Sequence, residues 1–423
     1  MALFGGKAKV VISGMLGNGL EWYDYALYGH MAIIFSHIFF PAGDPASNLI
    51  FTYLIFASGF VVRPLGAIMF GRIGDKYGRK KALTLSMMMM AVPTGMIGLL
   101  PSFETIGYAA PILLVIIRSL QGLSLGGAYS GSISYVVEHA PPGQRATIGS
   151  VIKSSLVIGF LMGSLASSAV AQILGVEAFN AWGWRIPFLL GVGIGVVGFY
   201  IRNHGEESPV YEQAKKDGTL SANPLRDTFT KHFPCMVRAF TTYLFVTIPF
   251  YIIAIYMIAY STNQLGLSED NALLINSISM ACMLVLIYPA ARVADRIGRR
   301  PVLLAAIVAM LLFSYPAFTM MQSGNFTDVL IAQAGMALIL GWYLAPIPAT
   351  LVEMFPTSVR YTGMSLAYNF CAILGGFTPA VAVWLIATTG DKVSIMWLMV
   401  ASGVGSFIAL WGYKDKWREP LPA

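Results

Sequence analysis

Residues 118–131 read Arg-Ser-Leu-Gln-Gly-Leu-Ser-Leu-Gly-Gly-Ala-Tyr-Ser-Gly and offer two different chemistries. Gly122-Leu-Ser-Leu-Gly126 spells G-x-S-x-G, the turn that presents a nucleophilic serine in hydrolases. That use requires a strained strand-to-helix turn with His and Asp partners. Here the motif sits inside a long apolar helical pattern, and no histidine stands at comparable depth with an acid behind it, so an enzyme built on Ser124 is not expected. The second chemistry belongs to Arg118. A charged side chain near the middle of a bilayer costs about 2.5–3.5 kcal/mol on insertion scales and needs a partner or a job. Four more such residues occur, Glu21, Asp24, Arg63 and Lys153, all in the first half of the chain. Glu21, Asp24, Tyr25 and Tyr28 follow the spacing i, i+3, i+4, i+7 and share one helix face. With Trp22 and Tyr23 alongside, they make a wall of acids and aromatics.

The elements that carry these charges are membrane helices. The chain has 423 residues, of which 57% are hydrophobic and 11% charged, against roughly 25% charged in a soluble domain. Lipid must therefore be the solvent for much of the surface. Apolar runs near the roughly 20 residues that cross a bilayer occur at 10–39, 48–72, 82–100, 109–138, 146–173, 184–202, 233–261, 270–292, 300–321, 327–353, 360–388 and 392–413. The first exceeds the apolar core of a signal peptide and is read as a retained helix. With the N-terminus inside, nearly all of the 27 Lys and Arg fall in cytoplasmic loops and tails; Arg185 and Lys392 lie outside, and Arg63, Arg118 and Lys153 in the interior. Positive charge is retained on the cytoplasmic side, which predicts cytoplasmic termini and an even number of spans. The formal charge of +7 is thus a topology signal and not a nucleic-acid surface. Three scattered cysteines and five histidines match no disulfide framework or metal motif.

The expected division is an N-terminal six-helix bundle over 1–202, a polar cytoplasmic linker over 203–232 and a C-terminal six-helix bundle over 233–423. The halves repeat each other. Gly71-Arg-Ile-Gly-Asp75-Lys-Tyr-Gly-Arg79-Lys follows the second span, and Ala291-Arg-Val-Ala-Asp295-Arg-Ile-Gly-Arg299-Arg follows the eighth. Glu138 to Arg145 closes the fourth span as Glu353 to Arg360 closes the tenth. A duplicated six-helix unit is the frame of a transporter whose halves rock about a central site.

On these residues the chain resembles the major facilitator superfamily, whose G-x-x-x-D-[RK]-x-G-R-[RK] loop is intact once and recurs with Ala291 in place of glycine. Within it, Gly19-Leu-Glu-Trp-Tyr-Asp-Tyr25, Val62-Arg-Pro-Leu-Gly66, Arg118-Ser-Leu-Gln-Gly122, Glu207-Ser-Pro209 and Pro356-Thr-Ser-Val-Arg-Tyr-Thr-Gly363 are similar to the metabolite:proton symporters, a group of proline/betaine, citrate, 2-oxoglutarate and shikimate importers. The resemblance implies an all-α membrane protein of twelve helices in two pseudo-symmetric bundles. It also implies a gate in which Asp75 meets the start of the eleventh span and Asp295 that of the fifth. Arg79 would pair with Glu138 and Arg299 with Glu353, with Arg145 and Arg360 beside them.

For the interior, depth counts from the helix ends at about 1.5 Å per residue put Glu21 about 16 Å, Asp24 about 21 Å and Arg63 about 14 Å deep. An Arg63–Glu21 pair is expected, leaving Asp24 as the acid that titrates and couples protons, or as a hydrogen-bonded structural acid. Arg118 is expected to bind substrate through its planar fork, or to pair with Asp24. Lys153 either touches substrate or snorkels to the interface. Tyr25, Tyr28, Gln121, Tyr251, Tyr256, Asn369 and Gln333, which holds the place of Arg118 in the second half, complete the expected binding set. Relatives often read Gly-Gly-Glu where this chain has Gly126-Gly127-Ala128. Losing that acid makes the interior more cationic and favours a carboxylate, possibly polycarboxylic, over a zwitterion such as proline or betaine. The expected activity is therefore proton-coupled import of a small carboxylate-bearing metabolite, monomeric, in a bacterial inner membrane, with no cofactor beyond the proton gradient. A zwitterion symporter is the alternative, as is an exporter, although Ile158-Gly-Phe-Leu-Met-Gly163 lacks the proline of drug antiporters. An osmosensing relative would carry a C-terminal coiled coil, whereas this sequence runs about ten residues past the last span.

Overall fold

The computed structural model describes residues 8–41, 43–77, 79–126, 129, 133, 136–137, 140–203, 224–356, 359–419 and 421. It is helical throughout the described residues, with the twelve-helix arrangement anticipated from the apolar runs. Helices begin where the sequence supplies a stop and a cap. Asp44 caps the second span, accepting from the Ser47 amide at 2.9 Å with Pro45 in the first turn, where proline's missing N–H costs nothing. Asn325 caps the tenth in the same way through Asp328 N–H at 2.9 Å. Gly298, at φ 103°, separates the eighth span from the ninth in a conformation that a side chain would strain.

Prolines mark the irregularities. The seventh span runs Phe233–Tyr251 and then passes through a π-helical turn, Ile252–Tyr256, just after Pro249. The tenth breaks between Leu344 and Ile347 at Pro346. Pro379 lies inside the unbroken Arg360–Thr389. The second span breaks at Val62 into Pro45–Val61 and Arg63–Tyr77. This sets Arg63 at a fresh helix start, facing inward.

The halves meet along two seams, the fifth span against the eighth and the second against the eleventh. Within the first half, the second and fourth spans approach so closely that a methyl on Gly122 would run into the Gly59 carbonyl, and one on Gly126 into the backbone at Ala67. Small residues allow such contact between membrane helices. The Ser124 hydroxyl donates to the Gln121 carbonyl at 2.7 Å within its own helix, so the G-x-S-x-G pattern is a packing surface.

Candidate functional site

Three buried cations define the interior, each on a different helix. Arg118 is fully buried; its Nη1 lies 2.8 Å from Asp24 Oδ2 and 2.6 Å from Gln121 Oε1. Gln121 Nε2 donates to Asp24 Oδ1 at 2.8 Å, and Thr94 Oγ1 donates to the same oxygen at 2.6 Å. The guanidinium is boxed by Tyr28, Tyr25 and Phe56, with ring centres 4.5, 4.7 and 5.4 Å away. Asp24, expected either to titrate or to serve as a structural acid, is an ion-paired member of this cluster. Removing either partner of such a pair leaves an uncompensated charge, which is why a buried arginine and a buried aspartate come together.

Arg63 pairs with Glu21 as the depth counts indicated, at 2.8 Å, with Phe60, Tyr368 and Tyr25 around its guanidinium. Lys153 does not snorkel to the interface. It is fully buried, its Nζ donates to Tyr243 Oη at 2.6 Å, and it lies over the rings of Tyr243 and Tyr129 at 4.8 and 5.0 Å. Among the described residues no acidic side chain pairs with it. Burial between two aromatic faces from other helices keeps it from reaching the surface.

Beside this cluster is a small central cavity. Trp22, Tyr243, Phe250, Tyr251 and Tyr368 line it, with Thr247 and four aliphatic side chains. Tyr251 Oη has no hydrogen-bond partner among the described residues. Of the residues expected to bind substrate, Tyr251 lines this cavity directly, and Lys153 stands behind Tyr243. Tyr25, Tyr28 and Gln121 surround Arg118 instead. Tyr256, Gln333 and Asn369, also expected to bind substrate, do not line this cavity. Tyr256 packs on Tyr53 and Tyr260, near the far end of the seventh span. Asn369 donates to the carbonyls of Ser365 and Gly126 at 3.0 and 3.3 Å, tying the eleventh span to the fourth. Gln333 donates to the Ile253 carbonyl and to Asn276 Oδ1 at 3.1 and 3.0 Å.

That last bond belongs to a polar seam the sequence did not reveal. Asn276 Nδ2 lies 3.1 Å from His30 Nε2, and Ser164 Oγ lies 2.7 Å from Ser277 Oγ. His30 and Ser164 come from the first half, the others from the second. Single polar residues scattered over four helices form no motif, so spacing carried no signal for them.

The opposite end, bearing the basic loops, is closed by charge. Asp295 accepts from the amides of Ala146 and Thr147 at 3.0 and 2.8 Å, at the free N–H groups that open the fifth span. Arg299 joins Asp295 Oδ1 to Glu353 Oε1 at 2.9 and 3.0 Å, and Arg145 Nη1 stands 3.4 Å from Glu353. Arg360 folds back on the Val352 and Phe355 carbonyls, both at 3.1 Å. The expected mirror set, Asp75, Arg79 and Glu138, and also Ala128, lie outside the described side chains.

Residues 10–227 match the family model described as "Sugar (and other) transporter", and residues 239–422 match that of the "Major Facilitator Superfamily". The "Proline/betaine transporter" of Salmonella typhimurium is 34% identical over 98% of this chain and 84% of its own length. The "Glycine betaine/proline/ectoine/pipecolic acid transporter OusA" of Dickeya dadantii is 33% identical with the same coverage. Among solved structures, a D-xylose-proton symporter superposes with a TM-score of 0.76 at 18% identity, covering 96% of this chain and 97% of that one. A partially occluded inward-open form of the xylose transporter XylE from E. coli gives 0.75 at 17%, over 98% and 99%. At such identities the likeness is one of fold.

Proposed function

The chain belongs to the major facilitator superfamily and is a multi-pass membrane transporter, and from that premise we propose that it imports a small carboxylate-bearing zwitterion, a betaine or proline, together with protons. The observation that carries this is the cavity wall. Five aromatic rings around a small space suit a quaternary or secondary ammonium, which ring faces attract through their quadrupoles. The charge of each neighbouring guanidinium is already compensated by an acid, Arg63 by Glu21 and Arg118 by Asp24. A di- or tricarboxylate would face those rings with several uncompensated charges, so the zwitterion, the second choice on sequence grounds, is preferred. The names of the relatives, proline/betaine and glycine betaine/proline/ectoine/pipecolic acid transporters, support the same reading. The charged gate at Asp295 and the polar seam at His30 and Asn276 would alternate, one parting as the other holds, with the basic end facing the cytoplasm. Proteoliposome uptake tests it. Glycine betaine or proline accumulates and accumulation rises with an inward proton gradient; accumulation of citrate or 2-oxoglutarate without either zwitterion, or indifference to the gradient, overturns it.

A further inference from the structure

We infer that Lys153 is the anchor for the substrate's carboxylate and takes up a proton as that carboxylate arrives, which makes it the residue where substrate and proton are coupled. This rests on the zwitterion reading for the identity of the substrate only. The inference begins from a charge imbalance: the interior holds Arg63, Arg118 and Lys153 against Glu21 and Asp24, and the two arginines take the two acids. Among the described residues Lys153 is left with a hydroxyl and two ring faces. A buried ammonium without a counter-ion is costly and is relieved by neutralisation or by an incoming anion.

The groups packed about it are consistent with both forms. Tyr129 faces it from the fourth span and Tyr243 from the seventh. Tyr368 of the eleventh stacks on both tyrosines, at 4.5 and 5.3 Å, and also covers the Arg63–Glu21 pair. On its own helix, Ser150 and Ser155 bond to backbone carbonyls and carry no charge. The Tyr243 hydroxyl can accept from an ammonium or donate to a neutral amine, so the 2.6 Å contact survives either way. Tyr243 also lines the cavity, which puts Lys153 one hydroxyl behind the space where the ammonium end of a zwitterion meets the rings.

The step balances simply. A neutral Lys153 amine, one proton from outside and the substrate carboxylate become an ammonium–carboxylate pair. When the halves open inward the carboxylate leaves, the ammonium loses its counter-ion, and the proton follows into the cytoplasm. No proton binds stably without the carboxylate, and the carboxylate is not held without the proton, which is the condition for symport.

Glycine betaine and choline separate the two halves of the site, because they share the trimethylammonium and differ in the carboxylate. In weakly buffered detergent solution, betaine binding to the purified transporter should take up about one proton per ligand, and its affinity should rise as pH falls, by binding linkage; choline binding should take up none. Lys153→Gln should lose the proton uptake and weaken betaine at least about tenfold, the scale of one charge-assisted bond, while keeping choline, which shows that the variant is folded. Lys153→Arg, permanently charged, should bind betaine without proton uptake and transport it without accumulation against a gradient. Betaine binding with no proton uptake by the native protein, or uptake retained in either variant, overturns the inference and leaves the zwitterion reading standing. If 2-oxoglutarate but not betaine binds with Lys153-dependent proton uptake, the zwitterion reading falls and the role of Lys153 stands. If no carboxylate binds with proton uptake, the inference is overturned.

Discussion

Asp24 and Arg118 illustrate how a membrane interior handles permanent charge at the residue scale. Each is fully buried, and each is costly alone; together with Gln121 and Thr94 they form one hydrogen-bonded cluster, in which Arg118 Nε and Nη2 have no hydrogen-bond partner among the described residues. Breaking such a pair by deleting one member costs about 3–5 kcal/mol. Arg118→Ala is therefore expected to lower the thermal midpoint strongly as well as to abolish uptake, and Arg118→Ala with Asp24→Ala should recover much of the stability but not the transport. Midpoints measured on the two variants in detergent check this; a single variant as stable as the native protein would show that the pair is not structural. Arg63–Glu21 was readable in advance because depth along two helices can be counted from their ends. The Asp24–Arg118 pair stood only as one of two readings, since counting residues gives depth but not azimuth. Lys153 is the clearest case of what counting misses: its distance from the helix end permits snorkelling, and only the rings of Tyr129 and Tyr243 on other helices prevent it.

Helix ends and crossings are set by short local signals. Asp44 lies exposed at the start of the second span, where bonds from the Ser47 hydroxyl and amide hold its carboxyl below the usual aspartate range. A group depressed on folding stabilises above its unfolded pKa and loses that contribution as pH falls through the folded value, so the cap weakens only in acid. Asp44→Ala removes it at neutral pH, and the resulting drop in thermal midpoint should narrow as the pH is lowered. Gly122 is a stricter requirement. With the Gly59 carbonyl where a Cβ would go, Gly122→Val must push the second and fourth spans apart, an overpacking cost of about 1–3 kcal/mol or more. The measured outcome should be poor yield of monodisperse protein, whereas Ser124→Ala, which loses a bond within its own helix and a long contact to Met90 Sδ, should purify and transport normally. Transport abolished by Ser124→Ala would reinstate a chemical role for that serine.

At the scale of the whole molecule, the two halves are bonded to each other at both ends by unlike means. At the basic end the bonds are charge-assisted: Asp295 on the opening amides of the fifth span, and Arg299 and Arg145 on Glu353. At the other end they are neutral, His30 and Ser164 against Asn276 and Ser277. Asp295→Asn should favour the form open at the basic end and Asn276→Leu the form open opposite. Labelling rates of single cysteines placed at each end would then move in opposite directions in the two variants; equal rates in both would refute the gating assignment. What the sequence alone determined is the frame: the number and limits of the spans, the duplication, the family, the expected gate partners of Asp295 and Arg299, and the Arg63–Glu21 pair. These follow from hydropathy, charge bias and spacing, which act along one chain. The tertiary structure decided which rings wall the cavity, which buried cation has no acidic partner among the described residues, and how Asn276 and Gln333 bond near one end. Those outcomes depend on the rotation of each helix about its axis and on neighbours far away in sequence. Both are set by packing between helices, and no local pattern encodes it.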